Sequence, residues 1–175
     1  VVQAAEALVL GKRTDQAVQL LSSEGLLDHA LKIARDAKDS RLVAQVLTER
    51  GDAVAGSRLL AQEAQAAGDH AVAAQHWLEV GSTERAADLF AQAGEHAAAA
   101  PLFEQLGQWE HAGHAFLASG DLTAAGDAYM RADLPKEAGR AYLRAGENDK
   151  AANALEKAKE WIALARLHHK HGDEA

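Results

Sequence analysis

Small and large apolar residues recur along this chain in a pattern that repeats about every thirteen residues. When each unit is counted from a recurrent glycine as position 1, alanine dominates position 6 and a large apolar residue dominates position 10. Every Phe and Tyr of the chain lies at position 10, and position 13 is often small. These positions are four and three residues apart, so they share one face of an α-helix. Positions 8, 11 and 12 are mostly polar, and each unit therefore predicts one amphipathic helix.

The residue at position 1 predicts where each helix ends. Glycine is favoured just past a helix end, where φ is positive, and Lys38, Asp133 and Lys159 replace it in three units. An acidic residue such as Asp52 or Asp121 often follows, which suits a helix start. We therefore expect one helix of roughly 10 residues per unit, followed by a tight reversal. The glycines at position 1 are Gly25, Gly51, Gly68, Gly81, Gly94, Gly107, Gly120, Gly146 and Gly172.

Helices this short are marginal in isolation, so they must stack against one another. We expect the large residue at position 10 to pack over the small residues at positions 6 and 7 of neighbouring helices. Gly113, Gly126 and Gly139 at position 7 permit a close approach. The predicted fold is all-α: a right-handed α-solenoid of short antiparallel helical hairpins, with about thirteen helices in a single array over residues 1–175.

Three irregularities qualify this array. The unit at 51–67 is four residues longer, so sub-blocks 1–50 and 68–175 could be joined by it through a bend. Pro101 lies where a helix interior is predicted, and we expect a late helix start or a kink there. The chain begins and stops in mid-repeat, which indicates a fragment of a longer protein.

Composition and charge narrow the function classes. The net charge of −8 disfavours nonspecific nucleic-acid binding, and no apolar run approaches the roughly 20 residues of a membrane span. The absence of cysteine excludes disulfides and thiolate chemistry. We expect a cytoplasmic protein that neither binds nucleic acid nor inserts into a membrane.

Catalytic and metal motifs are missing from the sequence. His111 and His114 are three residues apart, and His168, His169 and His171 cluster, but no His-Glu-x-x-His motif occurs. Phosphate-loop and serine-elbow motifs are also missing, and no pair of carboxylates stands out. We therefore expect no catalytic site, no cofactor and no metal, with His168 packing at position 10.

Six residues are candidates for partner binding. Trp109 and Trp161 lie at helix starts, where they could contact a partner or a flanking helix, or pack locally. Position 12 becomes basic toward the C-terminal end, and its cations could complement helix dipoles or form a docking strip for an acidic partner. Antiparallel packing would place Arg131 and Lys157 on one edge and Arg144 and Lys170 on the other. The aromatic residues at position 10 share a face with the alanines, so we expect them in the core.

Segments 68–80 and 120–132 carry glycine, alanine, an aromatic residue and a small residue at a diagnostic spacing. This spacing resembles the second helix of a tetratricopeptide repeat over almost the whole chain, and most closely over residues 68–158. Short-hairpin solenoids of the clathrin heavy chain look similar too. The resemblance implies an α-solenoid that works through protein–protein interaction, often inside a larger assembly.

The expected function is a noncatalytic scaffold or adaptor module of a larger protein that presents its surface to a protein or peptide partner. One alternative is a self-assembling or coat-like rod that associates through uncapped ends. A second alternative is a sensor or regulatory array attached to a catalytic domain outside this segment.

Overall fold

The computed structural model describes residues 1–172, with side chains at all of these positions except 168 and 170–172. Thirteen α-helices make up this described part. They are α1 (Val2–Leu10), α2 (Thr14–Ser23), α3 (Leu27–Asp36), α4 (Ser40–Glu49), α5 (Ala53–Ala67), α6 (His70–Glu79), α7 (Thr83–Gln92), α8 (His96–Gln105), α9 (Trp109–Ser119), α10 (Leu122–Arg131), α11 (Pro135–Ala145), α12 (Asn148–Lys157) and α13 (Trp161–Gly172).

The predicted all-α fold is confirmed. Turns of two or three residues join the helices, and consecutive helices within each compact unit pack against each other as in a solenoid. One unit comprises Val1–Ser82 and contains α1–α6, and the other begins at Thr83 with α7. The long helix α5 lies inside the first unit, so the bend expected at 51–67 stays a prediction. No helix of the described residues is long and apolar enough to cross a membrane.

The helix ends follow the residue at position 1. After α6, Gly81 has φ 76°, and the amide of Ser82 donates to the carbonyl of Trp77 at 2.8 Å. This bond satisfies a carbonyl that the helix leaves without a partner. After α1, Lys12 takes the left-handed conformation although Gly11 precedes it, because the thirteen-residue spacing falls on Lys12. The thirteen-residue repeat of the core residues therefore determines which residue takes the left-handed conformation, even where a glycine lies next to that residue.

Some of the predicted acidic residues cap the start of a helix through their side chains, and others do not. The Asp52 carboxylate accepts from the amide of Ala55 at 3.2 Å, and that of Asp121 accepts from Ala124 at 3.0 Å. Asp69 precedes α6 without such a side-chain bond. Pro135 occupies the first turn of α11, where its missing N–H costs nothing.

Most alanines at position 6 and most large residues at position 10 lie in the core, as predicted, but Ala4 is exposed, and Leu8, Leu47 and Leu60 are half-buried. Every aromatic side chain at position 10 is buried except Phe116, which is half-buried. The glycines at position 7 receive these side chains: a Cβ at Gly113 would lie 2.6 Å from Cε1 of Tyr129. The close approach expected at Gly113, Gly126 and Gly139 is therefore confirmed, with Tyr129, Tyr142 and Leu155 as the respective partners.

The late helix start expected near Pro101 is wrong. Helix α8 begins at His96 and continues through Pro101 to Gln105. A proline at this place removes the amide that would bond to the carbonyl of Ala97. Both Ala97 and Pro101 lie on the exposed side of α8, where water can reach that carbonyl. The alternative of a kink stays a prediction.

Candidate functional site

The candidate anchor Trp109 forms a cluster with two charged residues. The Arg131 guanidinium, at the end of α10, lies 4.7 Å from the centroid of the Trp109 ring. Its Nη1 also donates to Oε1 of Glu104, at the end of α8, at 3.2 Å. A cation over an indole face contributes about 0.5–1 kcal/mol at an exposed site. Trp109 is half-buried, so packing within the fold accounts for at least part of its surface.

Two more ion pairs join helices that are separated by one other helix, and each pair lies between corresponding ends of those helices. Lys157 Nζ, at the end of α12, lies 3.4 Å from Oδ1 of Asp133, which follows α10. Lys136, at the start of α11, pairs with Glu160, which precedes α13. This contact lowers the pKa of the Glu160 carboxyl. We call this surface the ion-pair edge; its residues are Glu104, Trp109, Arg131, Asp133, Lys136, Lys157 and Glu160.

The ion-pair edge bears on the docking strip predicted at position 12. Arg131 and Lys157 lie on this edge, as expected, and each has an acidic partner within it. Arg144 is exposed, and no ion pair involves it within the described part of the chain. The side chain of Lys170 lies outside the described residues. A strip that binds an acidic partner through position 12 stays a prediction.

The second candidate anchor, Trp161, is much more exposed than Trp109. Its exposed fraction is 58 %, and that of the adjacent Ile162 is 71 %. Both residues begin α13, directly after Glu160. The start of α13 therefore presents two large apolar side chains to solvent next to the ion-pair edge.

A polar network that the sequence did not predict crosses α10, α11 and α12. The Tyr142 hydroxyl donates to Oδ1 of Asp127 at 2.6 Å, and Lys150 Nζ donates to the same oxygen at 3.0 Å. Partial burial raises the pKa of the Asp127 carboxyl, but the bonds from Tyr142 and Lys150 outweigh it, so its pKa falls below the ordinary value. Burial and the bond to Asp127 raise the pKa of the Tyr142 phenol.

His111 and His114, which are three residues apart, make separate contacts. His111 packs on the ring of Phe103, with centroids 5.4 Å apart. The Nδ1 of His114 lies 3.0 Å from the hydroxyl of Tyr129, and its Nε2 lies 3.8 Å from Oε1 of Glu110. Among the described residues no three His, Asp or Glu side chains form a group that could hold a metal ion. His168 and His171 lie outside the described side chains.

An apolar groove of about 440 Å³ lies in the first unit, bordered by α1 and α3. Val2, Leu10 and Ile33 contribute its apolar walls, and Leu21 of α2 lines it as well. Polar and charged side chains also line it: Glu6, His29, Lys32 and Asp36. Leu10 is 86 % exposed. The sequence contained a signal for this surface, since α1 is unusually rich in apolar residues on all sides, but the thirteen-residue pattern drew attention to the inner face alone.

Sequence analysis also missed a basic stripe along α11. Lys136, Arg140 and Arg144 are four residues apart and all exposed, so they lie one above another on one side of the helix. We call these three residues the α11 stripe. The four-residue spacing of these cations is visible in the sequence. The prediction, however, compared position 12 between helices and did not compare positions along a single helix.

No protein-family model matches this chain, and no curated protein of known function matches it either.

Proposed function

We propose that this chain is a tetratricopeptide-like helical-repeat module that serves as a noncatalytic scaffold for protein–protein interaction within a larger cytoplasmic protein. The observation that carries this proposal is the contrast between inner and outer positions. The inner residues at positions 6 and 10 are nearly the same from helix to helix, and most of them are buried. The outer residues at positions 4, 8 and 12 differ in charge from helix to helix.

A uniform interior with a varied exterior suits a protein that presents a surface. In stacked repeats each unit contacts only its neighbours, so outer residues that make no contact between helices are available to other molecules. In α7 the outer residues include Glu84 and Asp88, whereas in α11 they are Lys136, Arg140 and Arg144. Some outer residues also link helices, as Lys136 does with Glu160. The change of charge between α7 and α11 is not part of the repeated inner pattern, however, and recognition of a partner is the function that explains it best.

The noncatalytic part of the proposal rests on where the polar side chains lie. General acid–base chemistry needs groups that converge in a cleft. The strongest polar cluster, formed by Tyr142, Asp127 and Lys150, is satisfied by bonds among its own members. Such a network contributes to helix packing.

The experiment is capture of partners from native extract with the segment and its flanking repeats as bait. Recovery of a specific protein, confirmed by binding of the purified components, supports the scaffold. A matched bait carries Arg131→Glu, Arg144→Glu, Lys157→Glu and Lys170→Glu and tests the strip at position 12. Recovery of this protein alone from every bait contradicts the scaffold and favours self-assembly.

Self-assembly into a rod is a second candidate that the apolar groove favours. Exposed apolar side chains at Leu10 in the first unit and at Trp161 and Ile162 in the second could associate between copies. Light scattering at several protein concentrations decides between the two. A mass that rises with concentration supports the rod, and a constant monomer mass excludes it. A regulatory array attached to a catalytic domain stays a prediction that only the full-length protein tests.

A further inference from the structure

We infer that an open groove beside the inserted turn of α5 binds an extended segment of a partner protein, in which an apolar side chain lies between an acidic and a basic residue. The groove lies between the start of α4 and helix α6, and the second half of α5 forms its floor. We call it the α5 groove. This inference rests on the proposed scaffold function and names the chemistry of the partner.

The α5 groove belongs to the long unit of the array. Residues 64–67 are the four that this unit has in addition, and they lengthen α5 by about one helical turn, or roughly 6 Å. Ala64 and Ala67 of this inserted turn line the groove. The turn is held against α6, because Nε1 of Trp77 donates to Oε1 of Gln65 at 3.4 Å. The other units stack without such an insertion, so its presence calls for another explanation.

The floor of the α5 groove is apolar and open to solvent. It includes Leu60 of α5 and Val72 of α6, and Val72 is 47 % exposed. The groove has a volume of about 720 Å³, within the range of roughly 300–1,000 Å³ that is usual for ligand sites. A small molecule needs a site that buries most of its surface. Exposed walls suit instead a chain segment that keeps one side in solvent.

The two walls of the α5 groove carry opposite charges. Lys38 and Arg41 lie on the wall at the start of α4. Glu63 and Asp69 lie on the other wall, near the end of α5 and in the turn before α6. All four residues are exposed. Within the part of the chain that the structure describes, the only ion pair among them joins Arg41 to its neighbour Asp39, at 3.8 Å.

Elsewhere in the chain, opposite charges on helices that are separated by one other helix pair directly. Arg131 bonds to Glu104 at 3.2 Å, and Lys150 bonds to Asp127 at 3.0 Å. In the α5 groove the corresponding charges lie on opposite walls of an open space and are not paired across it. A ligand in the groove can therefore pair with both walls.

Two other polar residues of the α5 groove already have partners. Oδ1 of Asp39 accepts from the amides of Arg41 and Leu42, at 3.1 and 3.2 Å, and so caps the start of α4. Nδ1 of His76 lies 3.1 Å from Oε2 of Glu79. The unpaired charges of the two walls are thus the groups left for a ligand.

These features select the chemistry of the occupant. A carboxylate pairs with the basic wall, an ammonium or guanidinium group pairs with the acidic wall, and an aliphatic side chain between them covers the apolar floor. Alternate side chains of an extended segment point to the same side, so the sequence Glu-x-Leu-x-Lys presents all three groups together. The acidic wall and the net charge of −8 both oppose a polyanion such as nucleic acid.

The test measures binding of synthetic peptides to the full chain by fluorescence anisotropy at low ionic strength. The first peptide carries Glu-Ser-Leu-Ser-Lys at its centre. Three others each change one residue of it, with Gln in place of Glu, Gln in place of Lys, or Ser in place of Leu. We expect the first peptide to bind most tightly, and the loss of either charge to weaken binding about threefold, as for an exposed ion pair.

Variants of the protein assign each wall to its part of the peptide. Lys38→Gln combined with Arg41→Gln should weaken binding of the first peptide about tenfold. It should also remove the effect of the Glu in the peptide while leaving the effect of the Lys. Glu63→Gln combined with Asp69→Asn should give the opposite pattern. Val72→Ser should reduce the advantage of Leu over Ser, because it removes part of the apolar floor.

Lys12→Gln combined with Arg13→Gln is the matched control. Lys12 has φ 58° and Lys38 has φ 55°, and Lys12 and Arg13 are exposed in the turn before α2, outside the groove. This variant should change the Kd by less than about twofold. Circular dichroism verifies that each variant keeps its helices. An equal loss in the control variant, or no binding of the first peptide to the parent chain, overturns the inference.

Two further outcomes also overturn it. Tighter binding of free leucine than of the first peptide assigns the groove to a small zwitterion. Sedimentation that shows loss of self-association in the Lys38→Gln and Arg41→Gln variant assigns the groove to a second copy of this chain. A partner captured equally well by the parent bait and by this variant leaves the scaffold function standing while excluding the α5 groove as its site.

Discussion

At the scale of single residues, Gly126 illustrates how closely the second unit is packed. A Cβ at this position would lie 2.6 Å from Cδ1 of Tyr142, and the ring cannot swing away because its hydroxyl is bonded to Asp127. Gly126→Ala should therefore lower the free energy of unfolding. Overpacking costs about 1–3 kcal/mol, against roughly 1 kcal/mol that alanine gains over glycine in a helix.

The background variant Tyr142→Leu provides the control for this prediction. Without the ring and its hydroxyl, Gly126→Ala should be neutral or stabilising, because only the gain in helix propensity is left. Urea denaturation of the four proteins in the cycle gives both values. A loss of the same size in both backgrounds would show that Tyr142 is not the cause.

The Asp127 carboxyl leads to a prediction about how the free energy of unfolding changes at low pH. Its pKa is lowered in the folded chain, so the ionised form is favoured there. The resulting stabilisation is present above the unfolded pKa of about 4 and is lost as pH falls through the lowered folded pKa. Asp127→Asn should thus reduce the free energy of unfolding at pH 7, and this difference from the parent should shrink below about pH 4.

Asp88→Asn is the matched control for the acid prediction, since Asp88 occupies the same unit position in α7 and is exposed. Denaturation is measured at several pH values between neutrality and roughly pH 3, a range that brackets the ordinary aspartate pKa. A parent–variant difference for Asp127→Asn that stays constant down to the lowest pH contradicts the assignment.

At the scale of the helix, the left-handed residue that follows each of the helices α1 to α12 controls its end. Lys159 has φ 58° and Gly120 has φ 91°, and this conformation costs a residue with a Cβ about 1–2 kcal/mol. Lys159→Gly should raise the free energy of unfolding by about 1 kcal/mol, and Gly120→Ala should lower it by a similar amount. Nothing lies within 4 Å of a Cβ built at Gly120, so the effect there comes from the backbone alone.

Asn153→Gly is the control for this pair, because Asn153 is exposed in the middle of α12. It should destabilise the protein by about 0.5 kcal/mol, since glycine has the poorer helix propensity. Chemical denaturation of the three variants at one pH measures all three changes. If Lys159→Gly behaves like Asn153→Gly, the turn does not carry the strain that its φ angle indicates.

The helices were predictable because local signals determine them. The four-residue spacing of Ala73 and Trp77 marks the inner face of a helix, and Gly81 marks the end of the same helix. Contacts between next-but-one helices were not predictable in the same way. The bond from Arg131 to Glu104 joins residues 27 positions apart, and its formation depends on how three helices are offset along their axes, which no single unit encodes.

At the scale of the whole molecule, stability is a sum over neighbours. One hydrophobic cluster includes Val18 and Leu21 of the first unit, and another includes Tyr129 and Tyr142 of the second. Within each unit, a helix buries its inner face mainly against the preceding and following helices of that unit. In such arrays stability is approximately a sum of helix terms and interface terms, so the effect of a substitution should fade with distance along the chain.

Native-state hydrogen exchange of the Gly126→Ala variant tests this additivity. We expect faster exchange in α9–α12, because the overpacked Tyr142 ring weakens the interface of α10 with α11 and loosens the helices that depend on it. Exchange in α1–α4 should match the parent chain, since their cluster contains none of the affected residues. Mass spectrometry of peptic fragments reports each region separately. A uniform acceleration across all helices would mean that the two units unfold as one cooperative body, and local strain at Gly126 would then lower the stability of the entire protein.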